Sequence, residues 1–269
     1  MKAFAAHFMF DLKTGLRDKS LLLMNYLFPL GFYIVIGGVM PKLNPQYINM
    51  LVPSMMIFAV LVSTVLGMPN NLVTYRNNGI FRSYKINGIP KSSMLAIPVV
   101  STVLHTLAVT IMILASSPVL FGAKLPEHFG GVILVFVCTV IAFSGLALLI
   151  GVIADNTSVT VLYAQALFLP SMLIGGLMFP ARALPGSVAS FGRLLPTTYA
   201  MDAFQALTAG GESSFNPVIS LGILAASGII CFLLSAWLFR LDNNNTSKPR
   251  RRLWALGALL PFILGALLL

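Results

Sequence analysis

The sequence predicts an all-α fold, a polytopic membrane helical bundle, and three observations predict it. Of 269 residues, 58% are hydrophobic and only 9% carry a charge, where a soluble domain has about 25% charged residues. Several apolar runs reach the roughly 17–25 residues that a bilayer crossing takes. Lysine and arginine collect in alternate loops between those runs, as charge sorting across a membrane requires.

The elements follow in chain order. Residues 1–18 carry a helical period: Phe4, Ala5, Phe8, Met9, Leu12 and Leu16 share one arc, with Lys2, His7, Lys13, Thr14 and Arg17 opposite. Such a helix lies in the membrane interface with its basic side toward headgroups. Asp11, Lys13, Arg17, Asp18 and Lys19 interrupt any apolar core that a secretory leader would need. Six apolar spans are expected at about 20–40, 48–73, 93–121, 131–154, 158–179 and 216–239. Pro29, Pro98 and Pro118 fall within or near them, where neighbouring helices satisfy freed backbone groups. Residues 180–217 are broken by Pro180, Pro185, Gly186, Gly192 and Pro196, too often for one straight span, and fit a re-entrant helical hairpin. The chain closes with a basic linker and an extra hydrophobic helix, 243–269, for which a full crossing is preferred to an interfacial position.

Orientation follows from loop charge. With the N-terminus cytoplasmic, the inside set is Lys2, Lys13, Arg17, Lys19, Arg76, Arg82, Lys85, Lys91, Arg240, Lys248, Arg250, Arg251 and Arg252, thirteen of the 17 basic residues. Lys42, Lys124, Arg182 and Arg193 remain outside. The +10 net charge is thereby an insertion and lipid signal, and no nucleic-acid partner is expected.

Chemistry has little to stand on. No GxxxxGK[ST], HExxH, CxxC or GxSxG occurs. Cys138 and Cys231 lie alone in apolar runs at different depths. No catalytic, cofactor or metal site is expected in the chain. His105 and Gln165 are the polar residues within spans that could line a path, and no Asp, Glu, Lys or Arg lies deep in the six spans. The missing acids count against an ion-coupled secondary transporter. That class stays an alternative, as does a non-transporting subunit of an immunity or sensor complex.

Two segments stand out. The loop at 74–93 holds Arg76, Asn77, Asn78, Gly79, Phe81, Arg82, Tyr84 and Lys85. A short helix between Asn-Asn-Gly and Asn-Gly-Ile-Pro would display Phe81, Tyr84 and Lys85 to a groove on a soluble partner. In the outer segment Pro196 fixes the entry to a helix running to Ala209. Thr197 or Thr198 would cap it, Asp202 would sit in its early turns, and Gly210-Gly211 would end it. Pro196, Thr198, Tyr199 and Asp202 are therefore the candidate outer gate.

Together these features resemble the type 2 ABC-transporter permeases, half-size membrane subunits of ATP-binding-cassette exporters. The N-terminal helix is similar to that family's interfacial elbow helix, and 74–93 stands where it has a coupling helix. Leu195-Pro196-Thr197-Thr198-Tyr199-Ala200-Met201-Asp202-Ala203-Phe204 resembles its "LPxTYxxDAxR"-like stretch before the final span. The resemblance covers roughly 1–242. Asn77 or Asn78 replaces the usual acidic residue of the coupling helix, Gln205 stands near the usual arginine, and 253–269 is extra to six spans. It implies a transport subunit rather than an enzyme, in the inner (cytoplasmic) membrane, dimerising with a second permease chain (homo- or heterodimer). ATP and magnesium would sit on a partner ATPase subunit whose motion passes through the coupling helix. Amphiphilic drugs, with drug resistance as the outcome, antimicrobial peptides and lipids are the implied cargoes.

Overall fold

A computed structural model of the chain describes residues 17–179, 184–208, 215–241 and 253–268, with residues 8, 9 and 13 before them. The expected 1–18 helix, the Gly210-Gly211 terminator and the 243–252 linker therefore lie largely or wholly outside the described residues. All regular structure in the described residues is helical. Among the described residues, six helices are long and apolar enough to cross a membrane: α1 Lys19–Leu43, α2 Pro45–Asn77, α4 Lys91–Phe121, α5 Phe129–Ile153, α6 Thr157–Ile174 and α9 Pro217–Leu238. Between them lie the short α3 Ile80–Ile86, α7 Gly186–Gly192 and α8 Pro196–Thr208. The last element, α10, begins as 3-10 turns, Leu253–Leu259, and continues as an α-helix, Leu260–Leu268.

Contacts between elements sort the helix ends into two groups. At one, the Arg76 guanidinium reaches the carbonyls that end α5, and Phe81 meets Phe239 edge to face. At the other, the Tyr47 hydroxyl donates to the Leu177 carbonyl at 2.8 Å, and the Glu127 amide donates to the Thr208 carbonyl at 3.0 Å. Arg17, Lys19, Arg76, Arg82, Lys85, Lys91 and Arg240 belong to the first group, hereafter the basic end. Lys42, Lys124 and Arg193 belong to the second.

α2 is apolar all round and is buried accordingly, with 89% of its apolar window inside the molecule. α1 and α6 are peripheral, at 28% and 22%. α5 and α9 approach most closely, through glycine: a Cβ on Gly228 would lie 2.5 Å from the Ile141 carbonyl oxygen, and one on Gly145 would lie 2.7 Å from that of Gly228. Backbone-to-backbone contact of this kind is how helices gain dispersion energy in lipid, where the hydrophobic effect between them is weak. Cys138 and Cys231 are both buried and free.

α10 runs antiparallel to α9. Near the basic end Trp254 meets Trp237 edge to face at 6.4 Å, and near the other end Phe262 packs on Tyr199 at 6.0 Å. Its 3-10 turns rise about 2.0 Å per residue and its α turns about 1.5 Å, giving roughly 27 Å in all. That nearly matches a hydrocarbon core of about 30 Å.

Candidate functional site

At the basic end α2 continues through Asn77, further than the expected loop start at Thr74. Asn78 and Gly79 make the turn, Gly79 in the left-handed region at φ 69°, where the absence of a Cβ removes the steric cost. α3 then occupies the stretch between the two Asn/Gly turns. Its seven residues present two faces. Phe81 is 1% exposed, packed edge to face on Tyr75 at 6.0 Å and Phe239 at 5.2 Å, while Tyr84 is half-buried. Arg82, Ser83 and Lys85 are exposed, and Ile86 is 79% exposed. The expectation that Phe81 projects toward a partner is corrected: burying an aromatic ring against the bundle is favourable, and only Ile86 remains as an outward apolar tip.

Arg76 is also turned inward, 9% exposed. Its guanidinium donates to the carbonyls of Gly151 (3.4 Å), Val152 (3.1 Å) and Ala154. These are among the carbonyls that a helix C-terminus leaves without intrahelical partners, and a cation there also suits the negative end of the helix dipole. Arg76 is thus a strut from α2 to the end of α5.

At the opposite end α8 is inserted among α2, α5, α6 and α9 rather than lying over them. Residues Pro196 to Phe204 are all buried. The expected threonine cap is not what the hydroxyls do: Thr197 donates to the Ser171 carbonyl at 3.2 Å and Thr198 to the Gly192 carbonyl at 2.6 Å. Both tie α8 back to the end of α6 and to α7. Tyr199, fully buried, donates to the Arg193 carbonyl at 2.7 Å and lies between the rings of Phe215 and Phe262. Burial pushes its phenol above the ordinary value, with the Arg193 charge pulling the other way. Asp202 is the seventh of thirteen residues in α8, not an early one. Its carboxylate accepts from the Phe215 amide at 3.3 Å and the Ser220 hydroxyl at 3.4 Å. The positive helix end it serves is therefore that of α9.

Within the spans, His105 is 4% exposed, and its Nδ1 lies 2.7 Å from the Tyr26 hydroxyl. This pair joins α4 to α1. Gln165 lies elsewhere, on a cleft of about 190 Å³ between α1, α2 and α6 whose lining includes Ser20, Met24, Gly67, Asn70 and Asn71. His105 is not among the residues that line it. No sequence pattern pointed to the cleft, because its polar groups come from three helices and none has a motif. Among the described residues, no three His, Cys, Asp or Glu side chains gather as a metal site.

Residues 2–208 match the profile of a family described as ABC-2 type transporter. Nodulation protein J of Rhizobium meliloti (strain 1021) is 26% identical over 110 residues, which is 39% of this chain and 40% of that protein. The chain thus matches less than half the length of this curated relative. No solved structure matches.

Proposed function

Because this chain belongs to the ABC-2 type transporter family, whose members are the membrane subunits of ABC transporters, we propose that it is the permease of an exporter, forming half of the translocation path and driven by a separate ATPase chain. The family match across most of the chain carries this reading. A second permease chain, identical or related, completes the path. The basic end faces the cytoplasm of a cell whose inner membrane holds the protein, as the positive-inside rule directs.

The exposed face of α3, with Arg82, Lys85 and the Ile86 tip, is the contact for the ATPase. The Arg76 strut passes its displacement to α5, and the close α5–α9 contact carries it on to the base of α8. Pro196, Thr198, Tyr199 and Asp202 then act as the pins of an outer gate. An amphiphilic drug, peptide or lipid suits a bundle with so few intramembrane charges.

Co-expression with candidate ATP-binding subunits from the same genome tests this. Ile86→Glu should leave insertion unchanged and reduce recovery of the ATPase with the permease about tenfold, as loss of one well-packed anchor would. Undiminished recovery and export would remove α3 from the coupling role. Failure of any ATP-binding chain to associate would sink the exporter reading itself.

A further inference from the structure

α10 meets the rest of the molecule along one narrow stripe. Ala258, Pro261, Phe262 and Gly265 are buried, and their spacing of three and four residues puts them on one helical face. Leu256, Leu260, Leu264 and Leu267 are exposed on the other faces. A helix seated by a single apolar stripe is held in lipid mainly by dispersion and ring contacts, because the tails outside are as apolar as the surface within. Pro261, which has no N–H to donate, stands where the 3-10 turns pass into α turns, so the outer half of α10 is joined to the inner half by one hydrogen bond fewer.

The stripe ends on Tyr199. The Arg193 guanidinium lies 5.7 Å from the centre of the Phe215 ring, Phe215 and Tyr199 are 5.9 Å apart, and Tyr199 and Phe262 are 6.0 Å apart. This stack brings together the end of α7, the approach to α9, α8 and α10. The Tyr199 hydroxyl is fixed by its 2.7 Å bond to the Arg193 carbonyl, and Gly265 faces it so closely that a Cβ there would lie 2.6 Å from the oxygen. That Cβ would also lie 2.6 Å from Ile223 Cδ1, but this methyl ends a flexible side chain and can turn away, whereas the tyrosine is clamped between two rings. Tyr199 is fully buried, so it cannot move toward the lipid while α10 is seated.

Resting on the gate role proposed for α8, we infer that α10 is a strap across the outer segment, which parts from Tyr199 when α8 shifts and closes on it again afterwards. The contact has the two properties a reversible strap needs. It is apolar, so parting leaves no polar group stranded in lipid: the Tyr199 hydroxyl keeps its bond to Arg193. It is also specific in shape, because only glycine at 265 lets the two backbones close fully.

The full chain in lipid nanodiscs, treated with a membrane-dissolved diazirine that labels lipid-exposed side chains, tests this by mass spectrometry. At rest the peptide 196–204 should label weakly. Gly265→Ala should raise that labelling about tenfold, the scale of one overpacked contact. Adding Tyr199→Phe, which removes the oxygen the new methyl meets, should bring it back toward the parent. Assembled with an ATP-binding partner, the parent should label several-fold more strongly at 196–204 during ATP turnover than at rest. Labelling that Gly265→Ala leaves unchanged, or that stays constant while ATP is hydrolysed and cargo exported, makes α10 a fixed buttress and overturns the inference. So does a parallel rise over 142–149, wholly buried in α5, which reports general loosening. If Gly265→Ala and its rescue behave as expected but no ATP-binding chain associates, the strap contact stands and the permease reading falls.

Discussion

Arg76 illustrates how one side chain can set the behaviour of two helices. Three carbonyls at the end of α5 point at a single guanidinium, whose planar fork presents several donors at once. Arg76→Ala should cost about 2–4 kcal/mol, from hydrogen bonds to a charged group and the carbonyls left behind. Arg76→Lys should recover only part, because an ammonium cannot reach three acceptors in that fork. Thermal unfolding in nanodiscs reads both values. Under the proposed coupling, ATP hydrolysis in the assembled transporter should persist while export falls, since the strut lies between the proposed ATPase contact and the spans. Asp202 makes a gentler test. Asp202→Asn keeps an acceptor for the Phe215 amide and removes the charge beside the start of α9, so about 0.3–1 kcal/mol should be lost. Asp202→Ala should cost more, because the Phe215 amide and the Ser220 hydroxyl both lose their partner. Neither role was legible in the sequence. Arginine in a loop after a span reads as charge sorting, and the carbonyls it meets lie some 75 positions further on.

At the scale of elements, the legible features were those set by composition and local turns. Spans follow from apolar length, and α3 sits between two Asn/Gly pairs because left-handed glycines at 79 and 88 permit the chain to turn there. Which side α3 turns outward was not legible, since a seven-residue helix with apolar and basic residues on both faces is oriented by what it packs against. The π-helical turns at Leu23–Leu27 of α1 and Val62–Gly67 of α2 were equally hidden, for no residue type signals them. α8 was expected as the threonine-capped helix of a re-entrant hairpin; its buried face embeds it in the bundle, and its threonines tie it to α6 and α7 instead of capping it. α10 gives the clearest prediction at this scale. Its course from Trp254 beside Trp237 to Phe262 beside Tyr199 carries the chain end to the side opposite the basic loops. A cysteine appended at the C-terminus should react with an impermeant maleimide from the same side as Lys124→Cys, and from the side opposite Lys85→Cys. Reaction from the Lys85 side would return α10 to an interfacial position.

For the whole molecule, the distribution of burial bears on the proposed pairing with a second permease chain. α2 sits at the centre of one chain, whereas α1 and α6 keep most of their apolar surface outward, with Leu27 and Leu162 each 67% exposed. Both helices also flank the cleft that holds Gln165. A dimer joined along them should allow disulfide cross-linking between chains from Leu27→Cys or Leu162→Cys, and not from Val119→Cys on the far end of α4. Cross-linking at none of these positions would place the interface elsewhere. The helix count and the sorting of loop charge were readable from one sequence; the pairing of α5 with α9 was not, because Gly145 and Gly228 are isolated glycines whose meeting is a tertiary fact. The 3-10 winding of α10 carries a final consequence. Sixteen residues reach roughly 27 Å only in their extended winding, whereas α2 and α4, with 33 and 31 residues, have length to spare. Hydrophobic mismatch therefore falls on α10 and the 18-residue α6 before the rest: a thicker bilayer overreaches an element that touches Tyr199, while the long helices absorb the change by tilting. Tyr199, proposed above as a pin of the outer gate, is in this way coupled to the thickness of the membrane around it.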